Sequence, residues 1–125
     1  MDKKAITAAK APAAIGPYSQ GIMAGGFIFT SGQIPLDPAS KKMSGDIREQ
    51  ARQALGNVRA ILEEAGSGMD RVVKVTVFLA DIGDFAVVNE VYAEFFKEPF
   101  PARSAFAVKD LPLGARVEIE AVALA

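Results

Sequence analysis

From Phe27 onward, the apolar residues change period in a fixed order: strand, helix, strand, helix, strand, strand. This alternation constrains the chain more than any other feature, because parallel strands joined through a helix close with a right-handed crossover. The longer helical segment, residues 46–66 (DIREQARQALGNVRAILEEAG), repeats Ile47, Ala51, Ala54, Leu55, Val58, Ile61 and Leu62 at steps of three and four. Asp46 with Glu49 resembles a capping box, and Gly66 suits the C-terminal cap. RVVKVTVFLA follows as a strand from Arg71 to Leu79, with Val73, Val75, Val77 and Leu79 alternating against Val72, Lys74, Thr76 and Phe78. Then DFAVVNEVYAEFF reads as a second helix whose inward stripe is Phe85, Val88, Tyr92 and Phe95, with Asn89 on its border. The order predicts one α+β domain over residues 1–125, a mixed sheet with both helices on one face and an N-terminal strand pair before it.

The two closing strands, SAFAV and ARVEIEAVALA, are joined by the turn KDLPLG and can pair as an antiparallel hairpin. Matching their apolar faces places Ala105 opposite Glu118 and Arg103 opposite Glu120. Arg103, Ala105, Glu118 and Glu120 then share a face that also carries Ala107, Val122 and Leu124. As an exposed cross-strand pair this would be worth less than about 1 kcal/mol. That face is too apolar for plain exposure, however, and a second copy of the chain is the simplest cover. Arg103 would then lie at a subunit boundary, where a planar guanidinium can receive a carboxylate through paired donors. The pattern favours a site over a solvated strand end.

Two earlier stretches give weaker signals. GPYSQG is a turn-type segment carrying the hydroxyl of Tyr18. TSGQIP puts Ser31 and Gly32 at a strand end, where glycine lets the backbone approach a ligand closely. Both also read as ordinary structure: a partly buried tyrosine with a satisfied hydroxyl, and a plain strand end. No base adjoins Ser31 and there is no G-x-S-x-G, so Ser31 is not assigned as a nucleophile.

Composition narrows the chemistry. The 125 residues contain no histidine and no cysteine. Ser-His and Cys-His nucleophile systems are therefore excluded, and a zinc site would need carboxylates alone. Acid–base work falls to Glu, Asp, Lys, Tyr or water. With 14 Lys plus Arg against 15 Asp plus Glu, there is no basic footprint for nucleic acid. Apolar runs are too short for a membrane span, and the first twenty residues lack a signal-type hydrophobic segment. A cytoplasmic protein is the expectation.

IGPYSQG, FTSGQIP, VVKVTVFLADIGDFAVVNEVY and FPARSAFAVKDLPLGARVEIEAVA together resemble the RidA (YjgF-type) reactive intermediate deaminases, in family order and over nearly the whole chain. The resemblance implies a chorismate-mutase-like fold, a homotrimeric barrel, and sites in the clefts between subunits. It implies hydrolysis of 2-enamine and 2-imine acids of the 2-aminoacrylate type to a 2-keto acid and ammonia, with no metal and no cofactor. Arg103 matches the arginine that grips the substrate carboxylate, and Glu118 the glutamate that positions or activates water. Tyr18, Ser31, Gly32 and Asn89 match further cleft residues. Ala105 stands where many members carry cysteine; the change is harmless if only the main-chain carbonyl there helps hold water or substrate, and it rules out thiol-dependent behaviour.

Arg103 and Glu118 are thus the expected catalytic pair, with Tyr18, Ser31, Gly32, Asn89 and Ala105 binding substrate. A keto-acid-binding or regulatory protein could use the same cleft without turnover, and ammonia release separates the two. A nuclease or translation-inhibitor reading, attached to some relatives, meets the balanced charge and the missing histidines.

Overall fold

The structure is a computed structural model that describes residues 2–125. Six strands form one sheet: β1 (Lys4–Ile6), β2 (Gly21–Ala24), β3 (Phe27–Thr30), β4 (Val72–Leu79), β5 (Ala102–Ala107) and β6 (Val117–Leu124). Two helices complete it, α1 (Ile47–Glu64) and α2 (Phe85–Phe95). The strand order is β1-β2-β3-β6-β4-β5, antiparallel throughout except for the parallel pair β4 and β5.

α1 begins where the Asp46 side chain accepts from the Glu49 N–H at 3.1 Å. Only half of the expected capping box forms, because the Glu49 carboxylate instead accepts from Arg52 at 2.8 Å. The helix ends at Gly66, whose φ of 82° is left-handed backbone that glycine adopts without strain. Ala51, Ala54, Leu55, Val58, Ile61 and Leu62 are buried on the sheet side. They meet Val75, Val77, Leu79, Val117, Ile119 and Ala123, so the core lies between the helices and one sheet face.

The closing hairpin does not form. β5 and β6 flank β4 on opposite edges, so β4, not a turn, stands between them. The physical reason lies in β4 itself, which is apolar and central and takes a partner on each edge. β5 returns after α2 as the parallel crossover strand, and β6 inserts antiparallel between β3 and β4. In that position Val117, Ile119, Ala121 and Ala123 all lie under the helices and are buried.

This register also reassigns faces. Partners Val75, Arg103 and Ala121 share the helix side, as do Val77, Ala105 and Ile119. Phe78, Phe106 and Glu118 share the other side, with Thr76, Ser104 and Glu120. Arg103 and Ala105 therefore do not share a face with Glu118 and Glu120. Ala107 is likewise on the helix side, opposite Leu79 and apart from Val122 and Leu124. A register shift between Val72 and Lys74 makes one further change: Val72 turns into the core and Val73 is exposed.

Candidate functional site

Two clusters hold the expected site residues, one on each face of the sheet. The first lies on the helix side, at the free edge of β5. Arg103 projects from β5 towards α2, where its Nη1 donates to Asn89 Oδ1 at 2.7 Å. Its guanidinium carbon lies 4.6 Å from the centre of the Tyr92 ring and 5.4 Å from that of Phe85. Asn89, Tyr92, Arg103, Ala93, Phe100 and Pro101 line a cavity of about 410 Å³. Arg103 itself is solvent-exposed, so its remaining N–H donors are open to a ligand.

The β5 main chain adds to this edge. Val108 N–H donates inward to the Leu79 carbonyl at 2.9 Å. Ladder groups alternate along a strand, so the N–H and C=O of Arg103, Ala105 and Ala107 point outward. The Ala105 methyl packs against the core, leaving its main chain as the part that faces the edge.

The second cluster lies on the opposite side, where β3 runs out against β6. Gln33 and Ile119 exchange both main-chain hydrogen bonds, at 2.7 and 3.1 Å. This pairing brings Gly32 beside Glu118 so closely that a Cβ on Gly32 would collide with the Glu118 carboxylate. The group that comes close to Gly32 is thus a side chain of the same chain, where a ligand was expected. Burial first, and the neighbouring Glu120 second, push the Glu118 carboxyl above the ordinary carboxylate range. Ser31 Oγ–H donates to the Ser19 carbonyl at 2.6 Å and Ser31 N–H to the Gln20 carbonyl at 2.8 Å. The serine hydroxyl ties down the strand exit. Tyr18, next to Ser19, is exposed, and its hydroxyl accepts from Ile15 N–H at 3.4 Å.

Gln20 and the two aromatic rings under Arg103 were not singled out in the sequence. The buried Gln20 amide accepts from Ala8 N–H and donates to the carbonyls of Ala8, Ala11 and Pro12, pinning the loop before Tyr18. Phe85 and Tyr92 read as core stripe, yet they share one helix face with Asn89 at spacings of four and three. That spacing, coupled to a lone arginine on the next strand, is the signal that could have found them. Among the described residues, no group of three or more His, Cys, Asp or Glu gathers to hold a metal ion, and no helix is long and apolar enough to cross a membrane.

A mixed sheet with both helices on one side, carrying an exposed arginine on its edge strand and a half-buried glutamate on its reverse, defines an α+β protein with its candidate site residues divided between two faces. The chain belongs to the endoribonuclease L-PSP family, the YjgF/RidA proteins, whose model matches residues 8–125. It is 53% identical over 123 residues to the human 2-iminobutanoate/2-iminopropanoate deaminase, covering 98% of this chain and 90% of that protein. It is 52% identical to a RutC family protein of Pyrococcus abyssi, with 98% of each chain covered. Among solved structures, the YjgF gene product of E. coli superposes with a TM-score of 0.93 at 50% identity, over 97% of this chain and 98% of that one. E. coli TdcF, solved with serine bound, gives a TM-score of 0.93 at 46% identity over 98% of both chains.

Proposed function

We propose that the chain is a hydrolytic deaminase of small 2-imino and 2-enamino acids, acting as a single-domain subunit of a homotrimer. The observation that carries this reading is the separation of Arg103 and Glu118 onto opposite faces of one sheet. A single chain cannot offer both to one small molecule. A second copy can, if its Glu118 face meets the Arg103 edge of the first. Such a contact joins two different patches, so it is heterologous, and a threefold rotation closes it as a three-membered ring. The exposed Phe27, Phe29, Phe106 and Leu124 on the Glu118 face suit burial against another copy. The names of the relatives near 50% identity support the reaction.

The chemistry follows from the residue types. The enamine takes a proton at its terminal carbon and gives one up from its nitrogen to become the imine. Water adds to the imine carbon, a proton passes from oxygen to nitrogen, and ammonia leaves a 2-keto acid. Arg103 fixes the substrate carboxylate and draws charge from the adjacent carbon, while Asn89 fixes Arg103. The Glu118 carboxylate takes the proton from the attacking water, and its raised pKa brings it nearer to neutrality as a base. Gly32 makes room for that carboxylate, Ser31 holds the strand exit, and Tyr18 offers a hydrogen bond near the leaving nitrogen. The outward main chain of Ala105 supplies a further donor and acceptor. No step calls for a metal, a cofactor or nucleic acid. Such imines arise from pyridoxal-phosphate enzymes, and a cytoplasmic setting without membrane attachment suits that supply.

Hybrid assemblies test the reading. Arg103→Ala and Glu118→Gln chains, each inactive alone, are mixed unfolded and refolded together. With random assembly of trimers, about a quarter of the clefts hold both native residues. Ammonia release from imine generated in situ should recover to about that fraction. Full inactivity of the mixture would sink the shared cleft, and binding of a keto acid without ammonia release would sink the deaminase.

A further inference from the structure

Phe85, Asn89 and Tyr92 project from one face of α2, and all three touch the Arg103 guanidinium. Asn89 fixes one edge through a 2.7 Å hydrogen bond, and the two rings offer their faces. Tyr92 is itself packed against Phe96, the rings tilted by 37° with centres 4.5 Å apart. Its hydroxyl is the one buried side-chain polar atom without a hydrogen-bond partner among the described residues. That hydroxyl makes no hydrogen bond, so the contact with Arg103 is made by the ring.

We propose that Phe85 and Tyr92 are positioning residues for the carboxylate grip, a proposal that rests on the deaminase reading above. A guanidinium on an exposed strand end samples many rotamers, and each costs entropy when a ligand fixes it. Two ring faces and one amide leave it a single plane. Its paired donors are then aligned for a planar carboxylate before substrate arrives. The two rings also cover part of an otherwise exposed guanidinium, and cation–π attraction strengthens where solvent is removed.

The test compares Tyr92→Leu, Phe85→Leu and Tyr92→Phe, each verified as folded and assembled like wild type. The first readout is the Arg103 guanidinium N–H resonance in NMR. Ring currents should place it upfield of free arginine. Either leucine variant should return it towards the free position, and Tyr92→Phe should keep it upfield. The second readout is steady-state kinetics on 2-iminopropanoate. Tyr92→Leu should raise KM about tenfold, the size of a partly desolvated cation–π contact, with kcat within about twofold. Tyr92→Phe should rescue KM. In an Arg103→Lys background, Tyr92→Leu should add little, because its effect passes through the guanidinium.

An unshifted resonance in wild type, an unchanged KM in folded Tyr92→Leu, or full additivity with Arg103→Lys would each overturn the proposal. If Tyr92→Leu does not fold, Phe85→Leu carries the same readouts. Wild-type protein that hydrolyses no imine would overturn the functional reading alone, since the resonance decides the cradle without turnover.

Discussion

The Glu118 carboxylate occupies the space that a side chain on Gly32 would fill. The backbone at Gly32 is not in the left-handed region, so the glycine answers to its neighbour and not to its own torsion angles. Gly32→Ala should therefore be cheap for the fold, because the displaced group is the far end of a flexible side chain. It should be costly for the reaction, because that end is the proposed base. We expect a melting temperature within about 3 °C of wild type and a fall in kcat/KM of about tenfold or more. A folded Gly32→Ala protein with wild-type kcat/KM would show that the carboxylate position is immaterial.

Arg103→Ala should remove the carboxylate grip, and Arg103→Lys should restore little, since an ammonium cannot reproduce the planar two-donor fork. The expected loss in kcat/KM is about a hundredfold, equivalent to about 3 kcal/mol of transition-state stabilisation. The rate of spontaneous imine hydrolysis must be subtracted. Because Arg103 is exposed and lies on the opposite face from Glu118 and Glu120, its removal leaves no paired charge behind, and the melting temperature should move little.

The raised pKa of Glu118 has a consequence for stability. A carboxyl whose folded pKa exceeds its unfolded value stabilises the fold fully below the unfolded value, and that contribution is lost as the pH rises through the folded value. Wild type should thus lose ground against Glu118→Gln as the pH climbs past 4.5, the ordinary glutamate value. Melting curves of the two proteins between acid and neutral pH check this. A wild type that gains stability relative to Glu118→Gln as the pH rises would contradict the assigned shift. In kinetics, the acid limb of wild-type kcat/KM should lie above the ordinary carboxylate range.

Phe29 lies on the helix-free face, 46% exposed, with its register partner Val122 on β6. Phe29→Glu places a charge where a second copy should pack. Light scattering should report a shift from trimer to monomer, with circular dichroism unchanged and turnover lost together with the trimer. A monomeric wild type at micromolar concentration, or a fully active monomeric variant, would remove the shared-cleft arrangement.

The amino-acid sequence by itself determined the elements and their order. The steps of three and four in α1 dictated which of its side chains point inward, because the helix period follows from local backbone geometry. β4 is apolar on both faces, so its alternation alone did not choose the buried one, and the register shift at Val72 and Val73 lay outside it. Motifs around Tyr18, Ser31, Arg103 and Glu118 were legible as a family pattern. Only the tertiary structure decided how the strands pair. A hairpin of β5 with β6 satisfies the same local alternation as two separate pairings with β4, and period alone cannot separate them. The choice is made by non-local burial: β4 takes a neighbour on each edge, and β6 buries its apolar face only beneath α1. That decision moved Arg103 to the helix side, gave it Phe85, Asn89 and Tyr92 as partners, and left Glu118 facing away. Residues two strands apart in a sheet owe their relative facing to register and strand order, and both are settled by contacts between segments far apart in the chain.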